Sequence, residues 1–322
     1  MGVADIPQDV AAAFFDAPIA SVSQLSGGKL NLSLLVELEG GSAFVLQKIS
    51  SDVDSVMYDN FAAVDEYLSK KGWEMPGIVR PTETSVVFTD SQGDRWCAFP
   101  RLENSPWNGD CGSIGSLLGQ LHVDLASFDF DPAGTPLIRE SDDRERELRA
   151  AVDKLPTQDA QECARQLLDA YAQTPPLAAA QQQVIHADCK IDNMLYRGGQ
   201  AYTFIGWKTV MKGNPWLDIG DMMRSIAKRQ HGMTGEVDHG QFEDFMRSYY
   251  SANQLGLDYN VFRTNALAAM RHITIVLAMR YAADYKDADA GYFAWDDSQY
   301  HTRSEHNSAR AHQLYDIWQS TI

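Results

Sequence analysis

The sequence is poor in cysteine and in positive charge, and it lacks any long apolar run. Its four cysteines, Cys97, Cys111, Cys163 and Cys189, are spread over 322 residues with no pair at C-x-x-C spacing. That excludes a zinc ribbon and a disulfide scaffold and leaves reduced thiols as the expectation. Lys and Arg number 27 against 44 Asp and Glu, a formal charge of −17. Nucleic acids and anionic membranes are bound by neutralising phosphates with basic side chains, so neither is an expected partner. The most apolar stretch, Ile273–Met279, is far too short to span a bilayer. The opening segment MGVADIPQDV has neither a basic nor an apolar signal region, and Ile6 stands where a myristoylation motif needs Ser or Thr. A cytoplasmic location is the expectation.

What is present is ordinary for a globular protein: 44% hydrophobic and 22% charged residues. Disorder, collagen and coiled coil are excluded on that basis. The length exceeds the roughly 250–300 residues at which one core stops growing, so two lobes are expected. The first hundred residues read mostly as strands. Ala20–Leu25 and Leu32–Leu38 flank a turn at Ser26-Gly27-Gly28-Lys29, and Ala43–Ile49 follows Gly40-Gly41. A helix is predicted over Val56–Lys71, with Phe61, Val64 and Leu68 as its apolar stripe and Gly72 as its stop. Thr84–Thr89 and Trp96–Phe99 complete a sheet of about five strands carrying one helix.

Beyond Pro100 the pattern turns helical. Helices are predicted over Ile114–Leu125, Ser141–Leu155, Asp159–Gln173, Val261–Tyr285 and Ser298–Ser320. A short β-rich island interrupts them: Val184-Ile185, a polar loop, then a hairpin of Met194–Tyr196 and Ala201–Ile205. The expected fold class is α+β, a small β-rich lobe (1–100) followed by a larger, mainly helical one (101–322).

The polar loop carries the chemistry. It reads His186-Ala187-Asp188-Cys189-Lys190-Ile191-Asp192-Asn193, the form H-x-D-x-K-x-x-N. Phosphoryl transfer needs a carboxylate to orient the acceptor hydroxyl and take its proton. It also needs a cation near the moving phosphate, an oxygen ligand for Mg²⁺ and a rigid backbone. Asp188, Lys190 and Asn193 suit the first three needs, with His186 anchoring the loop. A metal hydrolase using His186, Asp188 and Asp192 is the poorer reading, because the second ligand cluster it requires is missing.

This loop resembles the catalytic loop of the protein-kinase-like fold, in its small-molecule branch of aminoglycoside phosphotransferases, choline kinases, homoserine kinases and N-acetylhexosamine 1-kinases. Other segments extend the resemblance from about Ser21 to Arg224. Ser26–Asn31 is similar to the G-x-I-N phosphate loop of the hexosamine kinases, and Phe44–Lys48 to their third strand. Asn60 and Val64 match their N-x-x-x-V helix, and Leu118–His122 their L-G-x-F-H helix. Gly213–Asp218 resembles the family's G-x-P-x-x-D, continued by Gly220-Asp221.

The resemblance implies an ATP-dependent phosphotransferase acting on a small-molecule hydroxyl, with a sugar as the best acceptor guess. Asp188 and Lys190 would be catalytic. Gly27, Gly28, Asn31, Gln47, Phe99, Arg101 and Leu102 would meet the nucleotide, and Asn193 would hold Mg²⁺. His186 and Asp218 would be structural, Asp218 buttressing the loop. Lys48 competes with Gln47 for the phosphates, and Glu66 is a candidate partner on the helix. The first lobe would then be the nucleotide-binding sheet, and the second would carry the catalytic loop and the acceptor region.

One departure stands out. Where this fold has a second metal motif, I-D-W, I-D-L or I-D-x-D-T, the chain has Ile205-Gly206-Trp207-Lys208-Thr209. Gly206 stands at the chelating position, and Lys208 reverses the sign at the second acidic one. Three explanations stand side by side. The chain is a pseudokinase that binds a nucleotide or metabolite as a scaffold, or Lys208 replaces the metal as a fixed cation, or these are variant positions in an active enzyme.

Overall fold

The computed structural model describes residues 6–25, 32–51, 53–134, 141–234, 238–253, 256–284 and 303–321. The chain divides into two compact units. One runs to Asn104 and adds Pro132–Gly134; the other takes Ser105–Asp131 and the described residues from Ser141 onward.

In the first unit, α1 (Gln8–Phe14) leads into β1 (Ile19–Gln24), β2 (Leu32–Leu38) and β3 (Ala43–Ile49). Then come α2 (Val56–Lys70), β4 (Phe88–Thr89) and β5 (Arg95–Pro100). The sheet is antiparallel in the order β1-β2-β3-β5-β4. Alternation decides its faces. Leu34, Val36 and Leu38 of β2, with Leu46, Trp96 and Ala98, form a core against Val10 and Phe14 of α1. The opposite face meets α2, where Phe99 packs on Phe61 and Tyr58 at ring separations of 5.8 and 6.5 Å.

Helix α2 ends as the sequence predicts. Gly72 takes φ +91°, and the Gly72 and Trp73 amides donate to the Ser69 and Leu68 carbonyls, closing the last turn. Two expectations change. Helix α1 packs on the sheet, so this unit carries two helices rather than one. The strand predicted over Thr84–Thr89 shrinks to its last two residues. The Ser85 hydroxyl donates to the Val87 carbonyl and accepts from the Val87 amide, turning the chain before it can join the ladder.

The second unit opens with α3 (Cys111–Leu125), capped by the Asp110 side chain, which accepts from the Ser113 amide. Next are α4 (Ser141–Ala151) and α5 (Gln158–Gln173). A short 3-10 turn, Val152–Lys154, ends the helix that the sequence carries on to Leu155. Then β6 (Gln183–Ile185), β7 (Met194–Arg197), β8 (Gln200–Phe204) and β9 (Met211–Gly213) form two small ladders, β6 with β9 and β7 with β8. Helices α6 (Trp216–Thr234), α7 (His239–Asn253), α8 (Tyr259–Ala283) and α9 (Arg303–Ser320) complete it. Small residues set how closely these helices pack. A Cβ on Gly115 would lie 2.2 Å from the Phe245 carbonyl oxygen, and one on Gly119 would lie 2.8 Å from that of Tyr249. Helices α3 and α7 are therefore in backbone contact. No helix among the described residues is long and apolar enough to cross a membrane.

Candidate active site

The loop between β6 and β7 belongs wholly to the second unit, and residues of the segment 204–209 and of α6 hold it. The His186 ring is fully buried, 4.5 Å from the Trp207 ring and 5.8 Å from the Phe204 ring. Its Nε2 donates to the Ile205 carbonyl at 2.9 Å, so Nδ1 is left to accept from the Asp188 amide at 3.3 Å. The Thr209 hydroxyl donates to the His186 carbonyl at 2.8 Å, and the Ile191 amide donates to Ser225 Oγ at 3.0 Å.

Asp218 is the strongest brace. It lies in the first turn of α6, where the helix dipole favours a carboxylate. Its two oxygens accept from the His186 amide at 2.9 Å and the Ala187 amide at 2.7 Å. His122 Nε2 approaches Oδ2 at 3.1 Å. Burial is the largest single influence and opposes ionisation of Asp218, but the bonds from His122 and the His186 amide and the neighbouring charges together hold the carboxyl below its ordinary value. Ala187 needs that hold. It sits at φ +62°, the only described non-glycine residue in the left-handed region, which costs about 1–2 kcal/mol.

The outcome is the placement of Asp188. Lys190 Nζ lies 3.0 and 2.8 Å from its two carboxylate oxygens. Asn193 Nδ2 donates to the Asp188 carbonyl at 2.8 Å and to Oδ2 at 2.7 Å. Burial raises the Asp188 pKa, but the Lys190 ammonium, with the hydrogen bonds from Lys190 and Asn193, pulls it below the ordinary aspartate value. The carboxylate is thus ionised at neutral pH and partly exposed, which suits an acceptor of a hydroxyl proton.

The metal motif does not fit Mg²⁺. Gly206 takes φ +81° and offers no ligand, and an added Cβ would sit 2.9 Å from Asn193 Cγ and Oδ1. Lys208 brings a cation in the 3-10 turn Trp207–Thr209. The Asp188 carboxylate is already bonded to Lys190 and Asn193. Among the described residues, no group of three His, Cys, Asp or Glu is placed to hold a metal. Mg²⁺ requires octahedral oxygen ligation with one or two carboxylates.

Other residues singled out in the sequence lie in the first unit. Gln47 and Phe99 share the sheet face that meets α2, and Gln47 Nε2 donates to Ser33 Oγ at 3.0 Å. Lys48 points to the other face and pairs with Asp94 at 2.5 Å. The Arg101 amide donates to the Ala43 carbonyl at 2.9 Å, its guanidinium lies 3.8 Å from Glu37, and Leu102 is half-buried. Glu66 bonds Lys70 on its own helix at 2.6 Å, which corrects the expectation of a partner on β3. Gly27, Gly28 and Asn31 lie outside the described residues.

Sequence reading missed two features. Asp221 accepts from Arg224 Nε at 2.7 Å, and burial, reinforced by the nearby Asp188 charge, raises its pKa despite that pairing. The i,i+3 spacing of opposite charges was a usable signal for this pair. Tyr249, whose hydroxyl lies 2.7 Å from His122 Nδ1, gave no signal, since its helix is remote in sequence.

The phosphotransferase enzyme family model matches residues 21–251. No curated protein sequence matches at a significant level. Among solved structures, amicoumacin kinase hAmiN in complex with AMP-PNP, Ca²⁺ and Ami is 13% identical with a TM-score of 0.65, covering 96% of this chain and 91% of that one. The GDP complex of aminoglycoside 2'-phosphotransferase-IIIa is 12% identical, with a TM-score of 0.64 and 97% coverage of each chain. Spectinomycin phosphotransferase APH(9)-Ia, with ADP and spectinomycin, is 10% identical at a TM-score of 0.63, covering 97% of this chain and 96% of that one. At these identities the likeness is one of fold: α+β, of the kinase-like kind that the sequence resemblance implies.

Proposed function

This chain belongs to the phosphotransferase enzyme family, and on that premise we propose that it moves the γ-phosphoryl group of ATP to a hydroxyl of a small molecule, a sugar by the resemblance of its motifs. The observation that carries this reading is the Asp188 carboxylate, kept ionised beside Lys190 on a backbone pinned by Asp218. Asp188 orients the acceptor hydroxyl and accepts its proton. The acceptor oxygen bonds to phosphorus as the bond to ADP breaks, and Lys190 offers positive charge to the transferring group. Gln47, Phe99, Arg101 and Leu102 of the first unit, with Gly27, Gly28 and Asn31, serve the nucleotide. The helical second unit serves the acceptor. No step is assigned to Mg²⁺, because the residues at its motif do not fit it.

A second reading is favoured by Gly206 and Lys208: a catalytically impaired pseudokinase that binds a nucleotide or metabolite. Thermal shift with ATP, with and without Mg²⁺, followed by transfer from labelled ATP to sugars, amino alcohols and aminoglycosides, separates the two. Ligand at 100 times its Kd adds about 2.7 kcal/mol of stability. Binding with transfer supports the enzyme, and binding without transfer supports the pseudokinase. No shift with ATP in either condition overturns the enzyme and leaves only the metabolite-binding form of the second reading.

A further inference from the structure

Behind the Asp188 loop lies a buried chain of polar groups that reaches α7. The Tyr249 hydroxyl is 2.7 Å from His122 Nδ1, His122 Nε2 is 3.1 Å from Asp218 Oδ2, and Asp218 accepts the amides of His186 and Ala187. Tyr249, His122 and Asp218 are each at most 2% exposed, so water does not compete for these bonds. With a neutral His122 ring, donor and acceptor bookkeeping gives the chain a single direction. An ionised carboxylate only accepts, so Nε2 carries the hydrogen toward Asp218. In the neutral imidazole Nδ1 is then an acceptor, and the Tyr249 O–H donates to it. Burial raises the Tyr249 pKa well above its ordinary value, which keeps that proton in place.

The arrangement depends on the close packing of α3 on α7, because Gly119, three residues before His122, leaves room only for a hydrogen atom against the Tyr249 carbonyl. The Tyr249 ring is stacked on Phe262 at 5.5 Å and 6°, which fixes the direction of its hydroxyl.

We propose that Tyr249 is a positioning residue for Asp188: its hydroxyl holds the His122 ring with Nε2–H aimed at Asp218, and Asp218 in turn holds Ala187 in its left-handed conformation. The other tautomer would turn the Nε2 lone pair toward a carboxylate oxygen, and a rotated ring would remove the third donor from Asp218. Tyr249 touches no reacting atom and acts only through this chain. The role of Asp188 rests on the function proposed above; the chain itself does not.

The test uses the full-length protein, with NMR detection of the His122 Nε2–H resonance and hydrogen exchange at the His186 and Ala187 amides. Tyr249→Phe keeps the ring stack and deletes the donor. The expected result is broadening or loss of the Nε2–H resonance. Exchange at both amides is expected to be at least about tenfold faster, as local opening becomes easier, with core amides elsewhere unchanged. In a His122→Asn background, where the side chain no longer reaches Asp218, Tyr249→Phe is expected to have no further effect. An undiminished effect in that background assigns Tyr249 to packing alone and overturns the proposal, as does unchanged exchange in the single variant. If Tyr249→Phe does not fold, 3-fluorotyrosine labelling alters the donor without removing it. The His122 Nε2–H resonance must then move, and a fixed resonance overturns the proposal. Where phosphoryl transfer is measurable, kcat is expected to fall about 10- to 100-fold with KM changed less. An exchange effect without any transfer counts against the proposed function and leaves the positioning chain intact.

Discussion

Gly206 and Asn193 face each other so closely that a Cβ on the glycine would lie 2.9 Å from the Asn193 amide carbon. The missing side chain is what lets Asn193 turn its amide nitrogen to both the carbonyl and the carboxylate of Asp188. The glycine at position 206 and the bonding of Asn193 to Asp188 are thus coupled by this close approach.

Placing acids at positions 206 and 208 should break this arrangement. Gly206→Asp with Lys208→Asp is expected to displace Asn193 from Asp188 and to create Mg²⁺-dependent ATP turnover at least about tenfold above that of the native chain. The positive φ at 206 makes a lower Tm the expected side effect. Turnover assays across acceptor classes check this, and no gain with any acceptor would sink the impaired-kinase reading.

Asp188→Asn removes the proton acceptor and the partner of Lys190 together. Any ATP transfer is expected to fall about 10²- to 10⁴-fold, while the melting temperature moves little, since Asp188 is partly exposed. Transfer within twofold of the native rate would show that another group takes the proton.

Asp218→Asn is expected to be the more damaging change, costing about 3 kcal/mol, because it weakens bonds from three buried donors to a charge. The pH dependence follows from the shift. The folded-state pKa of Asp218 is lowered by His122 despite burial. Its stabilisation is therefore complete above the unfolded value of about 3.9 and is lost as pH falls through the lower folded value. Denaturant unfolding between pH 7 and pH 2 should show the native protein losing stability at the acid end and Asp218→Asn losing less.

Ala187→Gly relieves a left-handed alanine and is expected to raise stability by up to about 1 kcal/mol or leave it unchanged. Ala187→Val should destabilise, since a β-branched residue resists φ +62°. Chemical denaturation of both variants checks the pair. Equal stability would show that the loop does not hold the strain.

Gly119→Ala forces α3 and α7 apart, because its Cβ would meet the Tyr249 carbonyl oxygen at 2.8 Å and Ala252 Cβ at 2.9 Å. The expected cost is about 1–3 kcal/mol, with the His122–Tyr249 bond lengthened. Thermal unfolding and the His122 Nε2–H resonance report the two effects separately.

Elements with strong periodicity and marked ends were legible in the sequence. The stripe of α2 and its Gly72 stop, the hairpin across Gly198-Gly199 and the H-x-D-x-K-x-x-N loop all carry their cues within a few residues. Helix α1 and the shortened β4 were not. In α1 the buried face comes down to Val10 and Phe14, too few for a clear period, and in β4 one serine hydroxyl redirected the backbone. The choice between Gln47 and Lys48 illustrates the same limit. Strand alternation says that they diverge, but the ion pair of Lys48 with Asp94 appears only once β3 and β5 are paired.

The candidate site divides along the same line. The choice of Asp188, Lys190 and Asn193 as candidates, the loop that carries them and the absence of a carboxylate at 206 rest on local sequence, because they depend on residue type and spacing within one segment. Folding settled which nitrogen of His186 donates, where Asn193 points and that Ala187 is left-handed. It also joined Tyr249 to Asp218 through His122, across helices far apart in the chain. Those outcomes depend on which buried donors and acceptors meet, and a buried polar group takes whatever partner the packing of distant segments brings within reach.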